Sequence, residues 1–123
     1  MANPNIVNVT SIYGNTAYLV PTGTSATTWT GLTPASGTVN KVGSIVATNV
    51  TATAATITVS INSAAGGAGT NYRLAYQTSV PGNSALMVVD NSTSIYVGEA
   101  QSIVVTAGTS SAIEMVATYE AIS

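Results

Sequence analysis

The sequence predicts an all-β chain, a single antiparallel β-sandwich of jelly-roll-like type with about eight or nine short strands. A small barrel is the other closure open to such a chain. Three observations carry the prediction. Apolar and polar residues alternate with period two along most of the chain, whereas helical spacing is almost absent. β-Branched and aromatic side chains dominate the alternating runs. Gly, Pro, Asn and Asp interrupt those runs at close intervals, each favouring a chain reversal. No linker divides the 123 residues, which predicts one domain over 1–123.

The first two strand candidates are "IVNVTSIY" and "TAYLV", separated by a reversal at Gly14-Asn15. "NKVGSIVATNV" follows, with Val42, Val46 and Val50 on one face and Ile45 and Ala47 on the other. "TITVSIN" alternates most cleanly: Ile57, Val59 and Ile61 point inward, and Thr56, Thr58, Ser60 and Asn62 point outward. "YRLAYQ" repeats that pattern, predicting Tyr72, Leu74 and Tyr76 inward and Arg73 and Gln77 outward. "SALMVVD", "TSIYV", "QSIVVTA" and "IEMVATYEAI" complete the set. Turns are predicted at Pro34 to Gly37, Gly66 to Gly69, Pro81-Gly82-Asn83 and Asp90-Asn91. The stretch from Ser44 echoes the stretch from Ser102, which suggests two similar hairpins in comparable places in the two sheets.

Charge is scarce. Two cations and four acids make 5% of the chain, against about 25% in ordinary domains. Mean hydropathy is +0.39. The polar surface must therefore be built from Thr, Ser and Asn, which repels neighbours weakly and suits close packing beside other proteins. Lys41 and Arg73 cannot neutralise many phosphates, so nucleic acid is not an expected partner. No apolar run reaches the ~18 residues of a membrane helix. "MANPNIVNVT" lacks a basic segment followed by an apolar one, so the chain reads as made and kept in a cytoplasm.

The motif search returns little chemistry. The chain has no Cys and no His, which removes thiolate sites and the usual general base. Glu114 and Glu120 lie six residues apart on one strand, hence ~20 Å apart, whereas paired glycosidase carboxylates need ~5–10 Å. Glu99 is expected at a turn, and the acids as a group are expected to be solvated. Asp90 lacks the further ligands of a calcium loop and reads as an Asx-turn. Three glycosylation sequons, at Asn8, Asn49 and Asn91, match the number that 10 Asn and 34 Ser or Thr produce by chance. "AAGGAG" at 64–69 lacks the lysine and helix of a phosphate loop and reads as a flexible hairpin tip. No enzyme, cofactor or metal site is predicted.

Some strands are apolar on both faces. "SIVVTA" sets Ile103 and Val105 on one side and Val104 on the other. In a two-layer sandwich only one face of each sheet meets the core, so the second packs under a loop or another subunit. Val104 and Val116 are outward positions of this kind. Trp29, the single tryptophan, is either a core residue or, if exposed, an interface anchor. These three are the candidate interface residues, and a homo-oligomer, with a trimer favoured, is the expected assembly.

Several blocks in order resemble small β-rich virion structural proteins of tailed phages, notably marine and cyanobacterial ones. They are "MANPNIVNVTSIYG", "VNKVGSIVATNVTATAATITVSIN", "YRLAYQTSVPGNSALMVVDNSTSIYVGEAQSIVVTAG" and "EMVATYEAIS". They cover most of the chain apart from 18–38 and the glycine tip. Relatives tend to read L-x-E-G-D-S-I before the penultimate strand. Here "YVGEAQSI" stands instead, so an acid of that turn is missing. The resemblance implies a non-enzymatic particle component assembled in the host cytoplasm, either a head-decorating (cement) protein or a tail or neck piece. Its partners would be the major capsid protein or other virion proteins.

Overall fold

A computed structural model describes residues 9–123. The start of the first strand candidate and the Asn8 sequon lie outside the described residues. Nine strands form: β1 (Ile12–Leu19), β2 (Thr27–Thr28), β3 (Val39–Asn49), β4 (Ala55–Asn62), β5 (Asn71–Val80), β6 (Ala85–Val89), β7 (Ile95–Val97), β8 (Ser102–Ala107) and β9 (Ile113–Ile122). Single 3-10 turns follow β2 (Thr30–Leu32) and β6 (Asn91–Thr93). Sheet A runs β1-β9-β3-β6, with β7 also paired to β3; sheet B runs β2-β8-β4-β5. All pairings are antiparallel, and the two sheets pack face to face as a sandwich.

The pairing is nested. β4 pairs with β5, β3 with β6 and β7, β2 with β8, and β1 with β9. That is one long hairpin bent at the β4–β5 loop. Rolling it up brings β9 against β3 and β8 against β4. Chain segments far apart in sequence therefore end as neighbours, and the first strand of the described residues lies beside the last.

Burial follows the strand alternation. Ile57, Val59, Ile103, Val105, Ile113, Met115 and Ala117 form the centre of the core with Ile45, Val42 and Leu32. On β9, Glu114, Val116, Thr118 and Glu120 face outward, as predicted. β3 departs from prediction: both Val42 and Ile45 are fully buried. A register shift between Val42 and Ser44 explains it, since the extra residue at Gly43 reverses which side later residues face.

Three other expectations are corrected. Gly14 and Asn15 make no turn but lie within β1, paired with Glu120 and Tyr119. The β9 partner runs on without a break, and glycine in a strand needs no reversal. The echoed stretches are not hairpins. β3 leads into β4 and β8 into β9, so each crosses from one sheet to the other. Tyr72 and Tyr76 are exposed, not inward. β5 is an edge strand whose register with β4 slips twice, and Gln77 takes a left-handed φ of 46°. Those irregularities turn the strand away from the core and leave Leu74 half-buried.

Candidate functional site

The three candidate interface residues separate. Trp29 is 1% exposed, so it is a core residue and no contact anchor. It follows the β2 strand, donates its backbone N–H to Ile103 O at 2.8 Å, and packs under Gly31. Its indole Nε1 is buried without a hydrogen-bond partner. Val104 is 5% exposed although it points outward from β8. Val116 is 40% exposed and remains on the surface.

The cover over Val104 belongs to the same chain. The glycine-rich loop folds back over the outer face of β2 and β8 rather than projecting as a free tip. A Cβ on Gly67 would lie 3.3 Å from Val104 Cγ2 and even closer to Thr28 Oγ1. Only glycine tolerates that approach together with its φ of +81°. Thr28 Oγ1 donates to Gly66 O at 3.2 Å, and Ser102 Oγ to Ala64 O at 2.7 Å. At the centre is Asn62, 1% exposed. Its Nδ2 donates to Gly67 O, Gly69 O and Asn71 Oδ1 at 3.2, 3.2 and 2.6 Å. Its Oδ1 accepts from Ala64 N and Gly69 N, both at 2.9 Å. Asn62 thus satisfies a loop that has no ladder of its own.

The acids do not form a cluster. Glu114 and Glu120 are exposed on β9. Glu99 lies at the β7–β8 turn as expected but is 6% exposed rather than solvated. Its Oε2 accepts from Gly37 N, which ties this turn to the loop before β3. Asp90 caps the second 3-10 turn: its Oδ1 accepts from Ser92 N, Ser92 Oγ, Thr93 N and Thr93 Oγ1. Hydrogen bonds from the Ser92 and Thr93 side chains hold its carboxyl below the usual aspartate value. Among the described residues, no three His, Cys, Asp or Glu are placed to hold a metal, and no helix is long and apolar enough to cross a membrane.

What the outer face of sheet A does carry is a set of registered rows. Tyr18, Val116, Val46 and Met87 lie side by side across β1, β9, β3 and β6. Tyr18 is 75% and Met87 54% exposed, so the row is an apolar band open to solvent. Beyond Thr16, Thr118 and Ser44 comes a second outward row, Gly14, Glu120, Lys41 and Tyr96. Ser44 and Thr118 share a hydroxyl hydrogen bond of 2.7 Å between the two rows. Because Gly14 and Gly43 lack side chains, an open cleft of about 290 Å³ forms beside them, walled by Asn15, Lys41, Asn91 and Glu120. Alternation on β9 pointed to this face from sequence. The four-strand row required the register, which in that row joins Tyr18 to Val116, 98 positions away.

The chain matches no protein-family model, no curated protein and no solved structure.

Proposed function

We propose that the chain is a non-enzymatic structural protein of a tailed-phage virion, acting as a capsid decoration protein that binds and stabilises the assembled head. The observation that carries the reading is the open apolar band Tyr18–Val116–Val46–Met87 on a surface almost without charge. Such a face suits packing against flat, ordered neighbours. The nested strand pairing supports a jelly-roll assignment, in which one long hairpin is rolled into two layers, here of four strands each with β7 added beside β3. The mechanism is mass action. A protein that binds only the expanded shell, across subunit borders, lowers the free energy of that state by its binding free energy.

Purified protein mixed with decoration-free expanded heads tests this. Saturable binding and a higher temperature of head disruption are expected; no binding and no gain in heat resistance would refute it. A second reading, a tail, neck or fibre-associated adhesion module, is favoured by the tyrosines. Tyr13, Tyr18, Tyr72, Tyr76 and Tyr96 are all exposed, and exposed aromatics are what a glycan-binding surface uses. Copy number separates the two: hundreds per virion by quantitative mass spectrometry favour the head, about ten or fewer the tail.

A further inference from the structure

We infer that the outer face of sheet A is a two-fold self-association surface, whose occupant is the same face of a second copy. The argument is the register. Consider a two-fold axis lying along the strands between β9 and β3. Rotation about it lays a second sheet A over the first, keeps each row at its own level, and reverses the order of strands within the row. β9 then faces β3 of the second copy, and β1 faces β6 and β7.

The side chains brought together are complementary at three successive levels. In the apolar row, Val116 faces Val46, and Tyr18 faces Met87, a thioether against an aromatic ring. In the next row, Thr118 faces Ser44. One level on, Glu120 faces Lys41 and Lys41 faces Glu120, so four charges alternate in sign around the axis. In that same row Tyr96, 46% exposed, faces Gly14, where a Cβ would meet nothing within 4 Å. The cleft beside Gly14 and Gly43 is the socket for that ring. With the axis across the strands instead, each strand would face its own copy, so Glu120 would never face Lys41 and Tyr96 would never face Gly14. Opposed sheets also settle about 30° from parallel, so the axis tilts by about half of that from the strands.

Size sets the strength. Four strands at about 4.8 Å and four open outward rows at about 6.8 Å span roughly 500 Å² per copy. Standard interfaces bury about 800 Å² of accessible surface per partner. Association is therefore expected at micromolar concentrations and above. The inference stands on the face alone and does not need the virion reading. Within that reading, a second copy and the shell compete for this face, so the dimer is the free form and the separated chain is the form that meets the shell.

Sedimentation velocity of the whole chain over roughly 1–500 µM, at low and high salt, tests it, with melting curves as the check on folding. The unchanged chain is expected to dimerise. Tyr18→Lys and Met87→Lys, at exposed positions, should each weaken the dimer by about tenfold or more. Gly14→Leu has room in the single chain yet fills the socket, and should do the same. Lys41→Glu leaves acids at both charged positions, and Glu120→Lys leaves bases at both. Each alone should weaken self-association roughly tenfold, less at high salt. An equimolar mixture of the two should regain the dimer, because each acid again faces a base. Mixing leaves contacts within each chain unaltered, so only a contact between copies produces that rescue. A chain monomeric throughout, a trimer, a dimer indifferent to Met87→Lys, or a mixture no better than its components would overturn the inference. None of these results depends on binding to heads, so the two proposals fail separately.

Discussion

Replacing Asn62 by alanine removes the hub that holds the glycine-rich loop down. Five hydrogen bonds go with it: three from Nδ2, to Gly67 O, Gly69 O and Asn71 Oδ1, and two to Oδ1, from Ala64 N and Gly69 N. A neutral hydrogen bond is worth about 1 kcal/mol net, and a donor left unsatisfied out of water costs about 1–3 kcal/mol. Gly69 is exposed whereas Ala64 is half-buried, so water replaces some partners and not others. The expected loss is about 2–4 kcal/mol. For a domain of this size that is roughly 8–15 °C in Tm, at about 4 °C per kcal/mol. Thermal unfolding by circular dichroism measures the first quantity. Amide hydrogen exchange measures the second effect, loss of protection at Gly69 and Ala64 together with faster exchange in β8 beneath the loop. A Tm lowered by less than about 2 °C, with the Gly69 amide still protected, would refute the claim that Asn62 organises this loop.

Substitutions at three further positions test the remaining structure. Trp29→Phe removes a buried donor that has no partner, which offsets much of the lost ring volume, so it should cost under about 1.5 kcal/mol in urea unfolding, while Trp29→Ala should cost about 3–5 kcal/mol. A Trp29→Phe cost near that of alanine would show that Nε1 is satisfied. Gly82→Ala should cost about 1–3 kcal/mol, because its Cβ would collide with the backbone carbonyl of Ala52. Wild-type stability in that variant would place the turn differently. Asp90 should titrate below its ordinary value of 3.8, by carboxyl chemical shift. Its folded pKa is depressed, so its contribution to stability is present above the unfolded pKa and is lost as pH falls through the folded one. Ser92→Ala should move the midpoint up, and an unmoved midpoint would contradict the bonding seen at that turn.

How much of this was legible in the sequence depended on whether the deciding contact was local. On β9 the strict alternation of Ile113, Met115 and Ala117 against Glu114, Val116 and Thr118 reads directly, because one face of that strand is core and the other solvent. On β3 the same reading failed past Gly43, where one extra residue reversed the pattern. An isolated glycine within a strand is the available signal for such a bulge. On β5 the inward assignment of Tyr72 and Tyr76 assumed an unbroken ladder, and two register slips with a left-handed Gln77 broke it. Trp29 could not be placed by pattern at all, since its burial comes from the fold around the β2 corner. Val104 was identified as outward, which is correct, but its cover is a loop 37 residues earlier in the chain. The amide hub at Asn62 looked like one more outward polar residue of β4.

The covered Val104 and the open Val116 together decide where a neighbour can bind. Both are valines pointing out of the sandwich, one from each sheet, and a chain with so little charge could expose either. On sheet B the loop held by Asn62 lies over β2 and β8 and leaves Ser60, Asn62 and Ser102 buried beneath the chain's own backbone. A partner reaching for Val104 on that side would have to displace the five hydrogen bonds of Asn62. On sheet A nothing comparable covers the middle rows: Tyr18, Val116 and Met87 stay exposed, and Gly14 and Gly43 leave a socket beside them. The apolar area there is free to be removed from water at about 25 cal/mol per Å² without first breaking a built structure. The two faces of the sandwich are therefore unequal in the cost of a contact. That inequality makes sheet A the face on which the two proposed contacts cost least.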